Sequence, residues 1–227
     1  MTPERARLLE ALAELILAVD RPHPVRVAVD GPDAAGKTIL ADELAPILGG
    51  SGRPIVRASI DGFHRPRRER LARGPESPEG YYRDSFDYAG LRTELLDPLG
   101  PNGNRVFLRR IFDYRQDEPA VAPTETAAID SILLFDGVFL QRPELAGLWD
   151  FTIFVSVPFA ETRRRAAVRD AILFGPSEAG EHRYAVRYVP GQEMYFDEVH
   201  PDYCADVVVL NENPDRPEVR LHPPLDS

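Results

Sequence analysis

The sequence has almost no cysteine and no long apolar run. Its 227 residues include a single cysteine, Cys204, which excludes an intrachain disulfide and a cysteine-rich metal site. No stretch approaches the roughly 20 uninterrupted apolar residues of a membrane-spanning helix, and residues 1–20 lack the apolar core and cleavage site of a signal peptide. We therefore expect a cytoplasmic protein without membrane contacts.

Basic residues are outnumbered, and lysine is nearly absent. The chain carries 37 acidic and 27 basic residues, which gives a formal net charge of -10. Because nucleic acids and anionic membranes attract basic surfaces, this balance argues against either as a partner. Among the basic residues only Lys37 is a lysine. Its retention indicates a position that needs a compact ammonium group, which the planar guanidinium of arginine replaces badly.

Short apolar runs alternate with helical patterns along the chain. We predict an N-terminal helix within residues 1–20 and further helices at 88–99 and 159–174. Such alternation is typical of an α/β fold in which helices cover both faces of a parallel sheet. Irregular segments at 62–86, 101–128 and 175–190 are long enough to be binding loops or a lid. Strands are predicted at 25–30, 55–60, 132–136, 151–157 and 206–210.

The segment GPDAAGKT fits the P-loop pattern G-x-x-x-x-G-K-[ST] between a predicted strand and a predicted helix. Its glycines let backbone amides approach phosphate oxygens, and the helix N-terminus adds the positive end of its dipole. Lys37 would reach the β- and γ-phosphates, and Thr38 would ligate Mg²⁺. Since the guanine-reading N-K-x-D signature needs a second lysine, a GTPase of that type is excluded; ATP is the expected nucleotide, with the preference for its base left open. Its predicted contacts are Gly31, Asp33, Ala34, Ala35, Gly36, Lys37, Thr38 and Ile39.

Two apolar strands lead into aspartates that suit phosphoryl transfer. Ile132-Leu-Leu-Phe-Asp136 resembles a Walker B strand, whose acid holds Mg²⁺ directly or through water beside the P-loop. Asp61, in Ser59-Ile-Asp-Gly-Phe, could take the proton of an acceptor hydroxyl. An Asp-Gly pair after a strand is also a common turn signal. The P-loop in the same chain favours the catalytic interpretation of both.

Arginines cluster after Asp61 and on the helix predicted at 159–174. Such runs are usually solvated faces. Arg165 and Arg169 are nevertheless one helical turn apart and share a face, which suits a lid that covers the transferring phosphate. Arg183 and Arg187 have the same spacing further along.

Several residues near Asp61 are candidates for contacts with the acceptor. A loop histidine is as often only a surface residue, and aromatic side chains in an α/β protein are more often core. No histidine has the spacing of a metal ligand, so Mg²⁺ is the only metal implied. The candidates are His64, Tyr82, Phe112 and Tyr114.

The motifs, in this order, resemble the uridine kinase and phosphoribulokinase family of P-loop kinases over roughly residues 25–210. Phe86-Asp87-Tyr88 is similar to the segment that offers an aspartate to the acceptor's sugar hydroxyls, and Phe112-Asp-Tyr-Arg115 to its acceptor loop. The resemblance implies a single P-loop domain over 1–227 with acceptor-side loops at 62–86 and 101–128. It implies a three-layer sandwich with a mainly five-stranded parallel sheet and an Arg-rich helical lid at 163–190.

The resemblance implies catalysis by Lys37, Asp61, Arg165 and Arg169, acceptor binding that includes Asp87, and ATP and Mg²⁺ as cofactors. Asp117 stands near a position where uridine kinases usually have histidine. Residues 61–63 are also similar to bacterial pantothenate kinases. We therefore expect ATP-dependent phosphorylation of a small-molecule hydroxyl, with a nucleoside as the leading acceptor. Pantothenate or another alcohol, and an ATP-binding regulator without transfer, stay open, as does self-association into a homo-oligomer.

Overall fold

The structure is a computed structural model that describes residues 1–174 and 178–221. Turns of 3₁₀ helix span Ile60–Phe63 and Pro143–Leu145, and π-helical turns span Arg92–Leu96 and Tyr184–Tyr188. The strands are β1 Val25–Asp30, β2 Ile55–Ser59, β3 Val106–Phe107, β4 Phe112–Asp113, β5 Glu118–Pro119, β6 Glu125–Thr126, β7 Ile132–Asp136, β8 Phe151–Ser156, β9 Val207–Leu210 and β10 Glu218–Leu221. The α-helices are α1 Pro3–Leu17, α2 Lys37–Gly49, α3 Arg67–Arg70, α4 Pro78–Asp84, α5 Tyr88–Leu91, α6 Phe159–Phe174, α7 Glu178–Arg183, α8 Val189–Val199 and α9 Pro201–Cys204.

Six strands form the central sheet in the order β10-β9-β8-β1-β7-β2. The pairs that join β2, β7, β1, β8 and β9 are parallel, and β10 adds an antiparallel edge to β9. The predicted mainly five-stranded parallel sheet is therefore confirmed. The sequence prediction missed β10, because its four residues are all exposed and carry no buried apolar pattern.

Helices cover both faces of this sheet because its strands are apolar on both sides. In β7, Ile132 and Leu134 pack towards α1 and α2, while Leu133 and Phe135 pack towards the opposite layer. That opposite layer contains α4, α5 and α8 with their connecting segments. Continuous apolar strands of this kind are typical of parallel sheets buried on both faces. The three-layer sandwich follows from this packing.

The N-terminal helix begins as the sequence predicts. The Thr2 side chain accepts a hydrogen bond from the Arg5 amide, and Pro3 occupies the first turn, where its missing N–H has no cost. The buried face consists mostly of apolar residues spaced three and four apart, with one cation among them. These buried residues are Arg5, Leu8, Leu9, Leu12, Ala13 and Ile16.

The structure differs from the predicted secondary structure in four segments. The helix predicted at 88–99 ends at Leu96: Asp97 still has helical backbone, but Pro98 has no N–H with which to continue the hydrogen-bond ladder. The segments 62–86 and 101–128 contain α3 and α4 and the short ladders β3–β6 and β4–β5. The segment 175–190 is helical from Glu178 onward, while Gly175, Pro176 and Ser177 lie outside the described residues. Short elements of this kind have too few residues to show a periodic pattern.

Replacing Leu12 by alanine should destabilise the fold. Leu12 is fully buried in the layer formed by α1, α2 and the sheet, and such a truncation costs about 2–5 kcal/mol of unfolding free energy. Leu17, on the same helix, is 36% exposed, so Leu17→Ala is the matched control and should change stability by about 0.5 kcal/mol or less. Urea titration followed by circular dichroism measures both; equal losses would contradict the packing described.

Candidate functional site

Acidic residues meet at the carboxyl edge of the central sheet. Asp30 ends β1, Asp136 ends β7, and Asp61 follows β2 by two residues. The strand register sets Ser59 and Val29 beside Asp136. In the sheet β1 has β7 on one side and β8 on the other, so the strand order reverses at β1. The chain leaves β1 at this reversal, which is the usual ligand site of open α/β sheets.

The loop from Gly31 to Thr38 starts at this edge and has the backbone that its glycines allow. Gly36 has φ of 96°, and a Cβ at Gly31 would lie only 2.5 Å from the Val155 carbonyl oxygen. Ala34 also has a positive φ, 56°, which alanine rarely adopts. Such strained backbone persists only where surrounding contacts fix it, and it is frequent at ligand sites.

Lys37 lies buried inside this loop. Its Nζ donates a 2.7 Å hydrogen bond to the Pro32 carbonyl oxygen. Burial lowers the pKa of the Lys37 ammonium, whereas the nearby carboxylates favour its charged form. A buried ammonium needs such anionic neighbours to keep its charge. The neighbours are Asp33, Asp30, Asp136 and Asp61.

Thr38 and Asp136, the two predicted metal ligands, are in direct contact. The Thr38 hydroxyl donates to Asp136 Oδ2 at 2.6 Å, and Arg57 Nη2 donates to Oδ1 at 3.0 Å. A hydroxyl and a carboxylate are oxygen donors of the kind Mg²⁺ prefers. No group of three His, Cys, Asp or Glu within the described ranges forms a metal cluster. This fits Mg²⁺ held by one or two protein oxygens with water and phosphates.

Asp61 faces a cleft of 1790 Å³ that also contains Lys37, Thr38 and Asp136. Its side chain is open to the water of the cleft, but protein surrounds it on the other sides. Desolvation, followed by repulsion from Asp33 and Asp136, raises the pKa of Asp61 to about 6. A carboxylate with a pKa near neutrality is suited to accept a proton.

His64 stands between the cleft and a smaller adjoining pocket of 390 Å³, and it lines both. Its ring contacts Phe86 and Tyr114, with centroids 4.6 and 4.7 Å away. Its Nδ1 lies 3.1 Å from the Asp61 carbonyl oxygen. Burial lowers the pKa of His64 to about 4. The ring is therefore neutral at pH 7 and supports the Asp61 backbone.

The other predicted acceptor residues are divided between these cavities and the core. Tyr114 lines the cleft, while Phe112 and Asp87 line the smaller pocket. Asp87 also accepts a 2.9 Å hydrogen bond from the Gly90 amide at the start of α5. The prediction that Tyr82 contacts the acceptor is wrong, because Tyr82 is only 1% exposed and packs on Phe139 in the core.

Tyr81, the neighbour of Tyr82 on α4, lines the cleft in its place. Its hydroxyl donates to Asp33 Oδ2 at 3.0 Å, and Gln192 Oε1 accepts from the Asp33 amide at 2.7 Å. Helix α8 and α4 thus hold the first half of the P-loop. Tyr81 and Tyr82 are adjacent in a helix of seven residues, which is too short for a periodic pattern to show which of them faces the cleft.

The predicted arginines have different roles in the structure. Arg169 lines the cleft and donates to the Tyr184 hydroxyl at 3.0 Å. Arg165 pairs with Glu161 at 2.8 Å and donates to the Asn211 carbonyl at 2.8 Å. Arg183 also lines the cleft.

Arg187 is not among the residues that line the cleft, although its spacing from Arg183 is the same as that of Arg165 and Arg169. It is buried, and its guanidinium donates to backbone carbonyls of Gly74, Pro75 and Ser77 at 3.1–3.3 Å. A guanidinium that satisfies several backbone carbonyls stabilises the loop that carries them. Arg187 therefore anchors the segment before α4 to the π-helical turn after α7.

Ionised Asp61 should reduce the stability of the folded protein. The pKa of Asp61 is about 6 when folded, against an ordinary value of 3.8, so the folded state holds this proton more tightly than the unfolded chain. Stability from this group therefore falls as pH rises from about 4 to 6 and stays low above pH 6. Asp61→Asn removes the charge and should raise the Tm more at pH 8 than at pH 5.

Thermal melts in EDTA at both pH values measure this difference. Asp20→Asn, at an exposed position in the connection between α1 and β1, is the control and should leave the Tm unchanged. A Tm for Asp61→Asn equal to or below that of the parent at pH 8 would show that the carboxylate is not destabilised.

Within the described residues, no helix is long and apolar enough to cross a bilayer.

No protein-family model matches the sequence. Solved structures match most of the chain. A candidate uridine kinase from Bacillus stearothermophilus is 22% identical and has a TM-score of 0.71, with 89% of this chain and 97% of that one covered.

Two further matching structures are also named as kinases, and their names refer to fructose transport and to glycerate. A candidate fructose transport system kinase from Silicibacter sp. is 23% identical with a TM-score of 0.71, covering 84% of this chain and 95% of that one. D-glycerate 3-kinase from Cryptococcus neoformans is 14% identical with a TM-score of 0.58, covering 82% and 87%. The chain therefore has the fold of the P-loop small-molecule kinases, as the order of its sequence motifs predicted.

Proposed function

We propose that this protein is an ATP- and Mg²⁺-dependent kinase that phosphorylates a hydroxyl group of a small metabolite. The observation that carries the proposal is the position of Asp61, whose pKa is about 6, in the same cleft as the P-loop lysine. Asp61 and Lys37 are close enough for the charge of each to shift the pKa of the other. A phosphate site and a proton acceptor then share one cavity.

Each residue has a role that follows from its surroundings. The P-loop amides and the Lys37 ammonium bind the phosphates of ATP, and Arg169 from α6, which lines the same cleft, adds a further cation. Asp61 orients the acceptor hydroxyl and takes its proton as the acceptor oxygen bonds to the γ-phosphorus and the bond from that phosphorus to the β–γ bridging oxygen breaks, which leaves ADP. Mg²⁺, held by Thr38 and Asp136, would neutralise charge on the β- and γ-phosphates.

The smaller pocket is the best site for the body of the acceptor, because His64 connects it to the cleft. Asp87 and Glu69 offer carboxylates for hydroxyl groups, and Phe112 gives an apolar wall. This combination suits a sugar or nucleoside. Arg65, which lines the same pocket and donates to the Phe86 carbonyl, favours the alternative of an acceptor with a carboxylate, such as pantothenate.

The cytoplasmic location stays a prediction.

Asp61→Asn should retain ATP binding and lose phosphoryl transfer by about 10²–10⁴-fold, the usual contribution of a positioned general base. The amide can still accept a hydrogen bond from the hydroxyl but cannot remove its proton. Calorimetry measures ATP binding, and ADP release measures turnover. Asp20→Asn is again the control. Near-normal turnover of Asp61→Asn would remove Asp61 from the mechanism.

A panel of acceptors decides the substrate class. Purified protein with ATP and Mg²⁺ is offered nucleosides, free sugars, pantothenate and glycerate, and ADP release is recorded for each. We expect at least one nucleoside or sugar to raise the rate well above the background hydrolysis. Activity with pantothenate or glycerate alone would favour the carboxylate-bearing class. Bound ATP with no acceptor-dependent release would point to a regulator instead of a kinase.

A further inference from the structure

A buried arginine of the N-terminal helix lies at the nucleotide side of the cleft. The side chain of Arg5 is 7% exposed, yet it lines the cleft together with the P-loop. Its Nε and Nη2 donate to Glu43 Oε2 on α2 at 2.9 and 2.7 Å. Its Nη1 donates to Asn211 Oδ1 at 3.1 Å. A guanidinium fixed by a carboxylate and an amide is held in one orientation.

Asn211 connects this arginine to the phosphate loop. It follows β9, is 2% exposed, and its amide donates to the Ser156 carbonyl at 2.9 Å. The side-chain Nδ2 donates to the Ala35 carbonyl oxygen at 2.7 Å. A Cβ at Gly36 would approach the same Nδ2 to 2.9 Å. The Asn211 side chain therefore packs directly on the P-loop backbone.

Arg5 decides which end of the Asn211 amide faces the loop. An asparagine side chain has an oxygen that only accepts and a nitrogen that only donates, and a guanidinium only donates. Arg5 must therefore take the oxygen, which leaves the nitrogen for the Ala35 carbonyl. Without Arg5 the amide could turn and set its oxygen against that carbonyl, where no hydrogen bond forms.

The Ala35 carbonyl belongs to the same peptide unit as the Gly36 amide. Because a trans peptide is planar, its C=O and N–H point in opposite directions. Holding the carbonyl towards Asn211 therefore fixes the direction of the Gly36 N–H. The amides at the start of α2 have no intrahelical acceptors, as at any helix N-terminus, so their directions decide how well they meet a phosphate.

We propose that Arg5 and Asn211 are positioning residues that hold the P-loop in its phosphate-binding conformation and so set the affinity for the nucleotide. The contacts run from Glu43 on α2 through Arg5 and Asn211 to Ala35 in the P-loop, and the P-loop leads back into α2. We call this series of contacts the Arg5 relay. The proposal rests on the proposed function only in taking a nucleotide as the ligand of the P-loop.

The test measures the dissociation constant of ATP by calorimetry for Arg5→Met, Asn211→Leu and the double variant. Each single variant should raise it about tenfold, the usual effect of losing one buried hydrogen bond. The acceptor KM should be unchanged. Both residues act through the contact between Asn211 and the Ala35 carbonyl. The double variant should therefore bind ATP no more weakly than whichever single variant has the lower affinity.

Arg7→Met is the matched control, because Arg7 is exposed on the same helix and its loss changes the net charge equally. It should leave ATP affinity within about twofold of the parent, consistent with the weak effect of a screened surface charge. Leu12→Ala, which weakens packing on the same helix, should also leave it unchanged if the fold stays intact at the assay temperature.

The outcomes separate the relay from the proposed function. A parent protein that binds no ATP would overturn both. A parent that binds ATP, with Arg5→Met equal to it or no weaker than Arg7→Met, would overturn the relay alone. Additive losses in the double variant would mean that Arg5 contacts the nucleotide directly, which also overturns it. Should Asn211→Leu fail to fold, the comparison of Arg5→Met with Arg7→Met decides the question.

Discussion

The buried ammonium of Lys37 is the constraint on which the rest of the site depends. An ammonium removed from water keeps its charge only if anions and hydrogen-bond acceptors surround it. The parallel sheet supplies them, because strands β1, β2 and β7 all end at one edge with acidic residues at or just beyond their last positions. The geometry of the sheet thus produces the electrostatics of the site.

The same crowding of carboxylates gives Asp61 its unusual character. Its position in the cleft limits the solvation of its charge, and Asp33 and Asp136 repel that charge, so its pKa rises to about 6. A group that is poorly stabilised as an anion is a better base than a free carboxylate at the same pH. The arrangement that keeps Lys37 charged therefore also prepares Asp61 to accept a proton. The ionised Asp61 carboxylate therefore lowers the stability of the fold at the same position where the proposed reaction needs a base.

The P-loop is held from both sides by side chains of other elements. Tyr81 and Gln192 fix Asp33 at its start, and Asn211 fixes Ala35 nearer its end. A loop with positive φ at Ala34 would relax without such contacts. These contacts come from α4, α8 and the end of β9, which are far apart in sequence. Helix α4, which lies in a segment predicted to be irregular, thus contributes to the site through the loop that it supports.

The sequence by itself determined the order of the elements, the parallel sheet and the P-loop, because these depend on local patterns. Apolar runs give β1 and β7 with their bounds as predicted, and glycine and lysine spacing gives the loop. Only the tertiary structure decided which of Tyr81 and Tyr82 faces the cleft, that Arg187 binds carbonyls, and that Arg5 reaches Asn211 across 206 positions. Arg5 does leave a local signal, a cation on the apolar face of α1. Its partner could not be read from that signal, since contacts between distant segments follow from how the layers pack.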